Sequence, residues 1–405
     1  MLSYDEACAL IDSAVTPLPV ERADLLAACG RILAAPIAAA LDVPAFTNSA
    51  MDGFAVRADD IRTASADAPA RLRLLETVVA GSRALRNVTT GTCIGIMTGA
   101  PLPEGADTVV PVEDTSVDDR EVSVRTPLPA GTHVRAVGQE AQAGDCLQEA
   151  GTRVTPASLG LASSQGLTAL DVYGKPRVAI LITGDEVLRP GSAPEPHKVI
   201  DAAGPALQAA LTADLMPPVF IDYVGDNPAR VQPILNFVLH AVDAAVIVGG
   251  ASMGTRDIVQ DVARAIGVEE LFWKVAVKPG KPLWFGRRDA VHVFNVPGNP
   301  VSVLVSYCLF VRRYLLQCAG VPREDATLAS CAAELTAAIA KNTDRCEYVR
   351  GVLEGEPGAL RATPLAQRGS AMLSGMAQAN CLIELKAEEV GWAKGDTVRV
   401  LRLPW

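Results

Sequence analysis

Val178-Ala-Ile-Leu-Ile-Thr-Gly-Asp-Glu-Val187 decides the fold. Val178–Ile182 is apolar at every position, the pattern of a strand buried on both faces of a parallel sheet. It stops at Thr183-Gly184 and gives way to acids, as a strand exit does. Helix periodicity follows at Pro205–Leu215, then a strand at Val219–Val224 and a helix at Pro228–Val242. A second apolar strand, Ala245–Val248, ends at Gly249-Gly250. Asp257–Ile266 reads as a helix, and Val275–Val277, Leu283–Phe285 and Val291–Val296 as strands, with Val301–Cys318 the closing helix. Strands alternating with helices of this length predict a doubly wound α/β domain over about 174–322.

The flanks read differently. Residues 1–35 are predicted helical, opened by a capping box at Ser3 and Glu6 and stopped at Gly30 after Asp24–Cys29. Between Val43 and Leu147 short β-rich runs (Arg71–Val79, Val122–Arg125, Val134–Val137) alternate with Pro and Gly, which predicts a small β domain. Residues 155–172 return to helix and a short strand. The tail from about 327 holds β runs at Tyr348–Leu353, Cys381–Leu385 and Thr397–Leu403, consistent with a small barrel or sandwich.

Composition removes several function classes. A chain of 405 residues, 49% apolar and 20% charged, is globular, with roughly two to four domains expected. Its net charge of −10 leaves no general basic face for nucleic acid. Apolar stretches such as Val178–Thr183 and Val301–Val311 are shorter than a bilayer span, so no membrane is expected. The N-terminus has neither a basic start nor an apolar signal core, and a cytoplasmic location is the default. The nine cysteines are scattered, odd in number and without a CxxC pair, so neither a disulfide framework nor a zinc site is supported. The four histidines are equally dispersed. Any metal is therefore expected on carboxylate oxygens.

In a doubly wound sheet, ligands bind beyond the carboxyl ends of the strands, where strand order reverses. The strand exits here are Thr183–Val187, Gly249–Asp257, Lys278-Pro-Gly-Lys-Pro282 and Val296-Pro-Gly-Asn-Pro-Val-Ser302. Gly249 and Gly250 permit close backbone approach to an anion, although the segment is neither a dinucleotide fingerprint nor a P-loop. Asp185, Glu186, Asp226 and Asp257 gather at the exits, and carboxylates beside a phosphate site usually hold Mg2+. Lys274, Lys278 and Lys281 are the natural anion binders. Each has a bland alternative: Asp257 as a helix cap, the other acids solvated, the lysines on a surface turn, Asp52-Gly53 and Thr98-Gly99 as plain turns. Their joint recurrence at strand exits is what favours a site.

Phe46-Thr-Asn-Ser-Ala-Met-Asp-Gly-Phe-Ala-Val-Arg57 and the run from Ile96-Met-Thr-Gly-Ala-Pro to Thr115 resemble the signatures of the MoeA family, the molybdopterin molybdenumtransferases that include the E domain of gephyrin. The likeness continues through Ile182–Glu186, Gly249–Asp257, Trp273–Pro282, Val296–Ser302, Glu347-Tyr-Val-Arg-Gly351, Gly369-Ser370 and Ala379-Asn380, covering essentially the whole chain. The resemblance implies a multidomain α/β plus β protein: an elongated domain from 1–42 and 139–173, an inserted β domain at 43–138, a MogA-like pterin-binding α/β domain at 174–326, and a C-terminal β-barrel at 327–405. It implies a homodimer whose cleft joins one subunit's α/β domain to its partner's inserted domain. The implied reaction takes adenylylated molybdopterin, molybdate and Mg2+ to molybdenum cofactor and AMP. By motif, Asp52, Thr98, Glu186, Asp226 and Asp257 would handle pterin, pyrophosphate and metal, the metal falling to Glu186, Asp226 and Asp257. Lys274, Lys278 and Lys281 would form the basic side, with Gly249, Gly250 and Ser252 against the substrate and Pro297 and Pro300 shaping the loop. Arg350, Ser370 and Ser302 would take the molybdate oxyanion. The family's adenylyltransferase and recipient molybdoenzymes are the expected partners.

Three positions depart from the pattern: Glu140 where Asp is usual, Ala202 and Ala203 in place of Ser and Asn after Asp201, and Asn295 in place of Gly. A non-enzymatic scaffold or weakly active paralogue on the same fold is the competing reading. Retention of the acids and lysines favours an enzyme.

Overall fold

The computed structural model describes residues 1–250, 258–341 and 343–405. Contacts divide the chain into two compact units, one of residues 1–35, 151–155 and 169–405, the other of residues 36–150 and 156–168.

The larger unit is built on a six-stranded sheet in the order Phe220–Tyr223, Val178–Ile182, Ala244–Val248, Val291–Val296, Trp284–Arg288, Glu269–Trp273. The first four run parallel, Trp284–Arg288 runs against them, and Glu269–Trp273 is antiparallel to Trp284–Arg288. Val178–Ile182 is buried at all five positions, and the reason is visible in its parity. Ile180 and Ile182 pack with Leu207 and Leu211 on one face, while Ala179 and Leu181 pack with Val231 and Leu235 on the other. The chain steps from Val178–Ile182 to one side and returns to the other at Ala244–Val248, so strand order reverses between these two. A crevice at their carboxyl ends follows from that topology.

The closing rod, Pro300–Cys318, is apolar and long enough to span a bilayer, yet 94% of its most apolar window is buried inside the protein. Its middle, Tyr307–Val311, is a π-helical segment between two α-helical pieces. At the N-terminus the capping box is present: Ser3 N–H donates to Glu6 Oε2 (2.8 Å) and Glu6 N–H to Ser3 Oγ (3.2 Å). The helix it opens is only Tyr4–Ser13. Val20–Asp24, expected to be helical, is a strand paired antiparallel with Ala169–Tyr173.

The tail is a closed barrel rather than a sandwich. Cys346–Glu354, Arg361–Pro364, Ser330–Leu335, Thr397–Arg402 and Cys381–Leu385 follow one another, and the last pairs back onto the first. Val277–Lys278 adds to this sheet, parallel to Cys346–Glu347, and not to the α/β sheet for which Val275–Val277 was expected. Lys274, at φ +69°, turns the chain out of the α/β sheet after Trp273.

In the smaller unit a six-stranded sheet runs in the order Thr108–Pro111, Gly53–Val56, Thr92–Ile96, Ala70–Val78, Glu121–Val124, Thr115–Asp118. Gly53 is required by close approach, since a Cβ there would lie 2.0 Å from the Val110 carbonyl oxygen. Gln165, after the Pro156–Ser164 helix, accepts at Oε1 from the N–H groups of Ala40 and Leu41, both at 2.9 Å.

Candidate active site

The crevice at the switch point is a cavity of about 650 Å3. Its floor is the end of two parallel strands. Thr183 donates from both N–H (2.9 Å) and Oγ1 (3.2 Å) to the Val248 carbonyl, and Gly249 N–H donates to the Val296 carbonyl at 3.0 Å. Gly249 (φ +91°) and Gly250 (φ +66°) are conformationally obligatory: a Cβ on the first would lie 2.8 Å from Thr183 O, on the second 2.5 Å from Val259 Cγ2. Asn295, fully buried, donates from Nδ2 to the carbonyls of Gly249 (2.7 Å) and Ile247 (3.2 Å). The departure from Gly at this position thus ties down the glycine loop. Asp201 accepts from the N–H groups of Ala203 and Gly204 and from the Tyr223 hydroxyl (2.8 Å), which fixes the start of the Ala203–Ala213 helix despite the alanines at 202 and 203.

Glu186 and Asp226 line one wall of this cavity. Asp185 sits beside them, and the two aspartates exchange bonds: Asp226 N–H to Asp185 Oδ1 at 3.1 Å and Asp185 N–H to Asp226 Oδ2 at 3.4 Å. Burial raises the Asp226 carboxyl above the ordinary value, and the nearby Glu186 and Asp185 charges add to the rise. Among the described residues no three of His, Cys, Asp and Glu converge closely enough to hold a metal by themselves.

A second cavity, of about 490 Å3, adjoins the first and shares Pro282, Pro297 and Asn299 with it. Its character is opposite. Lys278, Lys281, Arg345, Arg350 and Arg368 line it together with Ser302, Ser370 and one acid, Glu347. Arg350 is 4% exposed, its guanidinium donating to the carbonyls of Gln367 and Gly369, and desolvation pulls its pKa down. Among the described residues its Nε has no hydrogen-bond partner. The loop carrying Ser370 is anchored by Val301 N–H donating to the Ser370 carbonyl at 3.2 Å.

Tertiary structure therefore brings Glu186, Asp226, Gly249, Gly250, Pro297 and Pro300 to the first cavity and Lys278, Lys281, Ser302, Arg350 and Ser370 to the second. Lys274, expected on the basic side, lines neither; its ammonium lies 3.7 Å above the Trp273 ring, because the turn at φ +69° folds the side chain back. Ser252 and Asp257 lie outside the described residues. In the smaller unit Asp52 and Thr98 are joined: Thr98 donates from N–H (2.6 Å) and Oγ1 (2.7 Å) to Asp52 Oδ1. Those bonds, the backbone one first, hold the exposed Asp52 carboxyl below its ordinary value. Glu140 is exposed, and nothing in its surroundings assigns it a role. Sequence reasoning missed Arg345, Glu347 and Arg368 as cavity residues. Glu347 stood inside the quoted Glu347–Gly351 motif, and the neighbouring Gly369-Ser370 motif pointed towards Arg368.

Family models for the MoeA N-terminal region (domains I and II), a probable molybdopterin binding domain and the MoeA C-terminal region (domain IV) match residues 2–166, 179–317 and 332–403. A relative from Mycobacterium tuberculosis named molybdopterin molybdenumtransferase 2 is 34% identical over 385 residues, 93% of each chain. One of similar name from Synechococcus elongatus is 37% identical over 326 residues, 78% of this chain and 81% of its own. The crystal structure of a molybdopterin biosynthesis MoeA protein from Pyrococcus horikoshii OT3 superposes with a TM-score of 0.83 at 27% identity, over 100% of both chains.

Proposed function

Since the chain belongs to the MoeA family of molybdopterin molybdenumtransferases, we propose that it inserts molybdate into adenylylated molybdopterin with Mg2+-dependent release of AMP. One observation carries this reading: an acid- and glycine-lined cavity at a strand switch point shares the lining residues Pro282, Pro297 and Asn299 with a cationic cavity. The first has backbone and carboxylate groups suited to a pterin nucleotide and its metal. The second has the cations and hydroxyls an oxyanion needs.

Two carboxylates of the first cavity have the chemistry Mg2+ takes, without completing a metal site among the described residues. Glu186 and Asp226 present hard oxygen ligands, and Asp226 is raised first by burial and then by the neighbouring Glu186 and Asp185 carboxylates, a repulsion that a divalent cation would relieve. Glu186 and Asp226 would hold the ion, with Asp257 the third expected ligand. Bound there, Mg2+ would offset charge building on the pyrophosphate. Lys278, Lys281 and Arg350, with Ser302 and Ser370, bind molybdate beside the dithiolene, and no protein nucleophile is required. The reading includes four domains, a cytoplasmic homodimer in which Asp52 and Thr98 serve the other protomer's α/β domain, and exchange with an adenylyltransferase and recipient molybdoenzymes.

The test is AMP release by purified protein given adenylylated molybdopterin, Mg2+ and molybdate, followed together with reconstitution of an apo-molybdoenzyme. Molybdate-dependent release is expected, falling about a hundredfold or more in Glu186→Ala. Tight pterin binding with no AMP release would overturn the reading.

A further inference from the structure

One feature of the cationic cavity opposes anion binding. Glu347 is 5% exposed and stands among five cations, where its negative charge weakens the pull on any oxyanion. Burying a carboxylate carries a desolvation penalty that full hydrogen bonding normally offsets, yet among the described residues Glu347 Oε2 has no hydrogen-bond partner. Its other oxygen, Oε1, lies 3.0 Å from Lys278 Nζ. This contact is built into the backbone: Lys278 and Glu347 are register partners on adjacent parallel strands. The ladder that draws Val277–Lys278 out to the barrel is what sets the ammonium against the carboxylate.

The other lining cations are Lys281 and three arginines, and a guanidinium does not release a proton in this setting. Among the described residues Lys281 forms no ion pair, so Lys278 alone combines a transferable proton, a place in the cavity wall and a fixed carboxylate partner. We propose that Lys278 delivers a proton to the oxygen that leaves molybdate, and that Glu347 is the positioning residue holding the Lys278 ammonium in place for it. The inference rests on the transferase reading above and adds the proton path to it.

The step balances. As the dithiol displaces one molybdate oxygen, two S–H bonds and one Mo–O bond break, and two Mo–S and two O–H bonds form. Molybdenum keeps its oxidation state and the oxygen departs as water. Lys278 gives one proton to that oxygen and recovers one from a thiol, so the enzyme is unchanged.

Two variants separate this from a binding or packing role. Glu347→Gln keeps the shape and an acceptor for Lys278 but removes the charge. Molybdate affinity is expected to hold or tighten, while single-turnover AMP release falls about a hundredfold. Lys278→Arg keeps the positive charge but not the transferable proton. Molybdate binding is expected to stay within a few-fold, with turnover falling by about a hundred. Thermal unfolding confirms that each is folded, and the second variant carries the test should the first not be. Wild-type turnover in Lys278→Arg would overturn the proposal, as would molybdate binding that weakens in step with turnover in either variant. A wild-type protein that binds molybdate but releases no AMP brings down the transferase reading itself, and this step with it.

Discussion

Asp52 shows how one pair of bonds sets a residue's charge state. Two donors from Thr98 reach a single carboxylate oxygen on an otherwise exposed side chain. Because the folded carboxyl titrates below its ordinary value, the stabilisation is present above that value and is lost as pH falls through the depressed one. Thr98→Val removes the hydroxyl donor and leaves the N–H. The Asp52 carboxyl is then expected to titrate at higher pH than in the wild type, still short of an unbonded aspartate, by carbon-detected NMR. An unmoved titration would mean the hydroxyl contributes nothing. Asp52 and Thr98 were singled out individually by the family motifs, their own turn signals reading only as turns. Their pairing, across 46 residues of chain, was not. Glu347 was quoted in a motif yet passed over, because only the strand register places it against Lys278.

Elements were legible where the pattern was locally decisive. Val178–Ile182 and Ala244–Val248 follow from unbroken apolar runs, and their exits follow from Gly and Thr. Val20–Asp24 was misjudged, since a short run with four exposed positions carries no period of its own and becomes a strand through pairing with Ala169–Tyr173. The exit after Ala244–Val248 yields a prediction at this scale. Gly249→Ala meets both an unfavourable φ and a 2.8 Å clash with Thr183, so unfolding stability should drop by about 1–3 kcal/mol and pterin affinity should fall with it. Gly160→Ala is the control. It lies inside the Pro156–Ser164 helix with nothing within 4 Å of the added carbon, and should gain roughly 0.5–1 kcal/mol. Denaturant midpoints read both, and equal shifts would contradict the steric account.

Across the whole molecule, stability should depend on pH through His292. It is buried against Phe285 with its Nδ1 2.7 Å from the Tyr314 hydroxyl. Burial, and then the Arg287 charge, depress its pKa from 6.5 to about 4. Between those values the unfolded chain binds the proton and the folded one does not, so stability falls as pH drops from 6.5 and has lost about 3 kcal/mol by pH 4. His292→Gln should flatten that part of the profile in urea titrations; an identical slope would assign the acid loss to carboxylates elsewhere. At this scale the sequence by itself determined the α/β core, the β-rich flanks and the family, and it singled out Glu186, Asp226, Lys278, Lys281 and Arg350 among the charged cavity residues, because apolar periodicity, glycine placement and long motifs are local signals. Only the tertiary structure decided that Lys278 joins the barrel while Lys274 folds onto Trp273, that Asn295 secures the Gly249 loop, and that Glu347 faces Lys278. Those outcomes depend on which distant strands share hydrogen bonds, and a run of side chains carries no record of its partner's register.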